Sequence, residues 1–147
     1  MKKFRPDFYV DSAGTYPYYK VVDLTRRYAE QEGVSDFLKN VPDSLASKNL
    51  CVFDLIVAME KEHEQAILDQ APECGDKISV WNITDPYNLP YKQASHEFDK
   101  IKSKVTDKKN STLTGGKNFE VALLMCPAPF LPGWIFCLKY CYHKLKI

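Results

Sequence analysis

The sequence predicts an α/β domain built around a parallel sheet, and three observations point there. First, Phe53 to Met59 (FDLIVAM) is a continuous apolar run bounded by polar residues, as a strand buried on both faces requires. Second, KISVWNI (77–83) alternates with the period of a strand. Third, helical patterns follow each of these runs. EKEHEQAILDQAP (60–72) carries acids in its first turn, and Ala94, Phe98, Ile101 and Val105 recur at i, i+4, i+7 and i+11. Strands alternating with helices bring the strands parallel, with connections crossing over the sheet.

In chain order, Phe8 to Val10 reads as a short strand ending in the turn DSAGT (11–15). Val21 to Gly33 carries a rough helical face of Val22, Tyr28 and Ala29, and Gly33 is its expected stop. SLASKNL (44–50) reads as a short helical turn with Ser44 or Ser47 as cap. The strand FDLIVAM leads into a helix that ends before Pro72, because proline cannot continue it. The strand KISVWNI then runs into ITDPY (83–87), and the amphipathic helix spans Tyr91 to Val105.

Ligands of parallel sheets bind beyond the carboxyl ends of the strands. DSAGT, the end of FDLIVAM and ITDPY all fall at such ends, so they are expected on one rim. Asp85, stiffened by Pro86 and flanked by Tyr87, is well built to deliver a proton, although Asp-Pro also initiates ordinary turns. His63 and His96 read as solvated or capping residues, EKEHE as a solvated helix face, and Cys51 and Cys74 as ordinary thiols.

At 147 residues the chain is large enough for one core without staples. A net charge of +1 and the lack of a basic stripe argue against nucleic acid. The five cysteines have no framework spacing and no signal-peptide pattern precedes them, so reduced thiols in a cytoplasmic protein are expected. No cofactor or metal is expected. Residues 1–106 read as the folded domain and 107–118 (DKKNSTLTGGKN), polar and with a Gly pair, as a linker or long loop. Residues 119–147 read as an apolar tail, uncharged from Val121 to Leu138.

VDSAGT (10–15), FDLIVAMEKEH (53–63) and DPY (85–87), in that order, resemble the low-molecular-weight protein tyrosine phosphatases and the related arsenate reductases. The helix after DPY fits as well, and the likeness covers about Phe8 to Val105. The resemblance implies a three-layer, Rossmann-like α/β/α fold with a four-stranded parallel sheet. It implies hydrolysis of a phosphotyrosine protein or small aryl phosphate through a phosphocysteine, without a cofactor. Asp85 then corresponds to the acid that protonates the leaving phenolate. Tyr87, with Tyr16 or Tyr18, corresponds to the wall for the substrate ring, and Ser12 to the hydroxyl that braces the phosphate loop.

The departure from the family lies in the nucleophile. Members begin with a strand that runs into Cys-x5-Arg. There a thiolate attacks phosphorus, backbone N–H groups cradle the phosphate, and the arginine clamps the equatorial oxygens. Here Arg5, Arg26 and Arg27 all precede the first cysteine, Cys51. The first strand, its loop and the first helix are therefore expected to be missing and the chain inactive, leaving a non-catalytic phosphatase-like binding module as the alternative. FEVALLMC (119–126) resembles the lost strand in character, which would put Cys126 at the nucleophile's position by circular permutation. CPAPFLPG, however, puts Pro132 where the arginine would sit, and its three prolines remove N–H donors. The favoured expectation is a tail without a homologous role, from truncation or frameshift, with a strand filling the empty position as the alternative. A membrane anchor over 121–138 is disfavoured by the same prolines, and zinc at Cys137, Cys141 and His143 by their spacing.

Overall fold

The computed structural model describes residues 8–15, 23–33, 35–37, 41, 43–85, 89–112 and 119–125. Their order is β1 (Phe8–Gly14), α1 (Asp23–Gln31), β2 (Leu55–Ala58), α2 (Lys61–Gln70), β3 (Ile78–Val80), α3 (Tyr91–Thr112) and β4 (Phe119–Met125). The chain is thus mixed α/β, as its alternating patterns predict. Its strands pair in parallel in the order β1-β4-β2-β3. Among the described residues no helix is long and apolar enough to cross a membrane.

Among the described residues, the last strand in sequence is an interior strand in space. Leu123 of β4 stands opposite Ser12 of β1 on one side and Val57 of β2 on the other. Residues 119–125, expected to belong to an apolar tail with a strand as the alternative, are therefore a strand of the sheet, paired along both edges. An apolar, charge-poor strand suits an interior position, where both edges are paired and no solvent-facing alternation is needed. The remainder of the tail, from Cys126 onward, lies outside the described residues.

Two further boundaries differ from expectation. β1 continues through Asp11, Ser12, Ala13 and Gly14, so DSAG is strand rather than turn. Pairing with β4 over seven residues overrides the turn preference of Asp, Ser and Gly, since each added residue gains ladder hydrogen bonds. α3 runs to Thr112, so residues 107–112 extend the helix rather than forming a linker. Nothing in DKKNST breaks a helix, and the Gly115-Gly116 pair comes only later.

The sheet is buried at β2, whose Ile56, Val57 and Ala58 are fully enclosed. Successive strand side chains point to opposite faces, so this burial means that both faces of β2 are covered. On one face Ile56 and Ala58 join a cluster with Ala13, Leu45, Leu50, Phe53, Ile67 and Cys74. α2 enters that cluster through Ile67.

α3 buries Ala94, Phe98 and Ile101, the predicted stripe, while the side chain of Val105 lies outside the described set. α1 buries Thr25, Tyr28 and Ala29. The two helices meet where the Tyr28 and Phe98 rings lie 4.5 Å apart, and the Tyr28 hydroxyl donates to Asp99 Oδ1 at 3.0 Å. Polar contacts flank this seam: Arg27 stacks over the Tyr91 ring at 4.3 Å, and Lys102 pairs with Glu32 at 3.2 Å. Gly33 ends α1 as expected, with φ +70°, a conformation that glycine adopts without penalty.

Candidate functional site

Because all four strands run parallel, their carboxyl ends share one rim. Gly14 pairs with Met125, Ala58 with Leu124, and Val80 with Ala58, which fixes the alignment. DSAGT, the end of FDLIVAM and the approach to ITDPY therefore come together at one edge of the sheet, as the order of the motifs predicts.

Asp85 reaches this rim through a bulge. The N–H of Trp81 donates to Ala58 O at 2.9 Å, and that of Ile83 donates to Met59 O at 2.9 Å. Two residues of advance on one chain thus match a single residue on the other. The extra residue is Asn82, at φ 53°, one of the few residue types that tolerate the left-handed region. The bulge lets Trp81 and Ile83 both stay buried while the chain turns toward α3. There the N–H of Thr84 donates to Glu97 Oε2 at 3.3 Å, and Glu97 is held in turn by Lys100 at 2.6 Å.

At the end of this path Asp85 meets Glu60. The backbone N–H of Asp85 donates to the Glu60 carboxylate, and the charges of the two side chains repel. Burial, then Asp85, then Glu62 push the Glu60 carboxyl above its usual range, against the opposing hydrogen bond. The Glu60 carboxyl, holding its proton to higher pH at the rim, is a group able to give and take a proton.

Glu60 occupies the N-cap of α2, and His63 stands three residues on. His63 Nδ1 accepts the Glu60 N–H at 3.1 Å, which puts the ring proton on Nε2. His63 is only 2% exposed, and Nε2 has no hydrogen-bond partner among the described residues. Burial holds its pKa down to about 4, against the opposing pull of Glu62. His63 is therefore a buried neutral imidazole, not a solvated one, and EKEHE is not a uniformly solvated face.

Glu60 is the rim residue that sequence reasoning passed over, whereas His63, expected to be solvated or capping, caps α2 from a buried position. The available signal was the spacing Glu60-x-x-His63 just after an apolar strand, which is a cap pattern. Ser12 lies on β1, 4% exposed, two residues before the rim, and its Oγ has no partner among the described residues. Tyr16, Tyr18, Tyr87 and Cys126 lie outside the described residues. Cys126 follows Met125, the last residue of β4, in sequence.

Beside Asp85, an open depression of about 630 Å³ runs along the first turns of α3, lined by Thr84, Leu89, Lys92, Gln93, His96 and Asp99. His96 is exposed there, in keeping with a solvated role.

Beside the rim end of β1, segment 43–48 braces this edge strand. Gly14 donates to Asp43 O at 2.8 Å, and Ser44 Oγ caps the turn Leu45–Ser47 by accepting the Ala46 N–H at 3.3 Å. The Lys48 ammonium bridges Asp11 at 2.6 Å and Asp43 at 2.7 Å. Burial works to lower its pKa, but hydrogen bonds to Asp11 and Asp43 hold it above the ordinary value.

Comparison with protein-family models, with characterised proteins and with solved structures finds no match to this chain.

Proposed function

We propose that the chain is a low-molecular-weight tyrosine phosphatase-like domain whose C-terminal strand fills the sheet position of the family's first strand. On this reading the fold is a three-layer, Rossmann-like α/β/α arrangement. The observation that carries the reading is the placement of β4 between β1 and β2, parallel to both, with Met125 at the rim. In the family an interior strand ends in the nucleophilic loop, and here the interior strand is followed by Cys126.

The rim motifs support the same reading. Asp85 takes the role of the acid for a leaving phenolate, with Glu60 beside it. Tyr87, Tyr16 and Tyr18 take the substrate wall, and Ser12 the brace of the loop. The reading also accounts for what the chain lacks. Pro132 stands where the clamp arginine belongs, and Pro127, Pro129 and Pro132 carry no N–H for the phosphate oxygens. Loss of one such electrostatic contact typically costs about 3 kcal/mol of transition-state stabilisation. The domain thus keeps the frame and the acid of a cytoplasmic phosphatase and binds a phosphotyrosine protein or aryl phosphate without turning it over.

Hydrolysis of p-nitrophenyl phosphate by the full chain, beside Cys126→Ser and Asp85→Asn, tests the inactive state. All three proteins are expected at the buffer rate. Turnover by the unmutated chain that disappears in both variants would overturn it and make the domain a permuted enzyme.

A further inference from the structure

Cys51 and Cys74 were expected to be unrelated thiols, yet the fold brings them together with Glu73. The Cys51 and Cys74 sulfurs and a Glu73 carboxylate oxygen all lie within 4.8 Å of one another. Cys51 belongs to a 3-10 turn, Leu50–Val52, that precedes β2, and Cys74 to another, Pro72–Lys77, that leads into β3. The cluster therefore stands at the amino ends of β2 and β3, the opposite edge of the sheet from Asp85 and Glu60. It is part of no chemistry ascribed to the rim.

We propose that Cys51, Glu73 and Cys74 form a binding site for a thiophilic divalent cation of the zinc class. Two sulfurs and a carboxylate oxygen are the donor set such ions prefer, whereas magnesium and calcium take oxygen alone. The spacing suits it. Zinc bonds of about 2.3 Å to sulfur and 2.1 Å to oxygen place tetrahedral ligands roughly 3.6–3.8 Å apart. Cys51 Sγ lies 3.2 Å from Glu73 Oε1, so small rotations of the side chains bring all three donors around one ion.

The Lys77 ammonium stands at the same edge, donating to the Cys51 backbone carbonyl at 2.8 Å, so it occupies the main chain and none of the three donor atoms. On binding, both thiols lose their protons to buffer, two sulfur–metal bonds and one oxygen–metal bond form, and the fourth position is left to water. The buried Cys74, 1% exposed, is anchored by the core cluster, while Cys51 and Glu73 are exposed and give the ion its access. The ion would tie the start of β2 to the start of β3.

Titration of the reduced full chain with Co²⁺ tests this, Co²⁺ serving as a coloured substitute for Zn²⁺. One Co²⁺ per chain with a sulfur-to-cobalt charge-transfer band is expected, displaced by Zn²⁺. Cys51→Ser should abolish the band, and Glu73→Gln should weaken binding by at least about tenfold. Zn²⁺ should also protect Cys51 of the unmutated chain from alkylation, read by peptide mapping, which needs no variant to fold. Failure to bind below millimolar Co²⁺, a band that survives Cys51→Ser because Cys137 and Cys141 carry it, or unprotected Cys51 would each overturn the proposal.

Discussion

Asp85 acts on Glu60 in two opposite senses: its backbone N–H donates to the Glu60 carboxylate while its side chain repels the Glu60 charge. The two effects can be separated, because substitution of the side chain leaves the backbone donor in place. Asp85→Asn should remove the repulsion and keep the hydrogen bond. The Glu60 carboxyl, raised first by burial and then by Asp85, should therefore titrate at lower pH in the variant. A carboxyl whose folded pKa is raised contributes stability below its unfolded pKa and loses it as pH rises through the folded value. The variant should accordingly lose less stability over that rise. Carboxyl-carbon NMR of both proteins across pH 3–7 reads the downward shift. An unchanged Glu60 titration would mean that the two side chains do not face each other.

His63 gives the fold a specific acid sensitivity. Its unfolded pKa of 6.5 falls to about 4 in the fold, chiefly through burial. The unfolded chain therefore binds a proton that the folded chain refuses between those values. The contribution is present in full above pH 6.5, is lost as pH falls toward 4, and is flat below. It amounts to about 3 kcal/mol over the window. His63→Gln keeps an acceptor for the Glu60 N–H but does not titrate. Urea midpoints measured from pH 7 to pH 4 should fall more steeply for the unmutated chain than for the variant. Parallel slopes would show that the imidazole is solvated.

Lys48 joins β1 to the segment that braces it, so its removal should cost more than a surface ion pair does. Lys48 and Asp11 are 16% and 15% exposed at their side chains, against 41% for Asp43. Lys48→Met takes a cation away from the enclosed Asp11 carboxylate, at a cost of about 1–3 kcal/mol. Asp11→Asn should cost more than Asp43→Asn, since exposed partners are screened. Chemical denaturation of the three variants checks the order, and equal losses at Asp11 and Asp43 would contradict it.

The parallel α/β class was legible because LIVAM (55–59) is apolar throughout and Ala94, Phe98 and Ile101 recur at helical spacing. These are local signals of burial. The cap at Gly33 and the stop before Pro72 were legible for the same reason. The partner of Cys51 was not, because Cys74 lies in another turn and only the pairing of β2 with β3 brings the two together. Nor was the Glu60–Asp85 contact, which depends on the bulge at Asn82. The role of FEVALLM was open in the sequence because an apolar run with the single charge of Glu120 suits an interior strand and an unpaired tail equally. Its neighbours in the sheet are residues more than 60 positions earlier.

That strand offers the sharpest test of the architecture. Leu123 is paired on both sides, with Ser12 and with Val57, so a proline there removes a donor where both edges of the strand are bonded. Leu123→Pro should cost at least about 3 kcal/mol. Leu123→Ala supplies the control, because it changes the side chain and leaves the backbone donor intact. The proline variant should lose its cooperative transition, and the alanine variant should keep one at a lower midpoint. If residues 119–125 were instead an appendage to a sheet complete without them, both variants would unfold like the unmutated chain. Such a result would remove β4 from between β1 and β2, and with it the reason to read Cys126 as the successor of a phosphatase nucleophile.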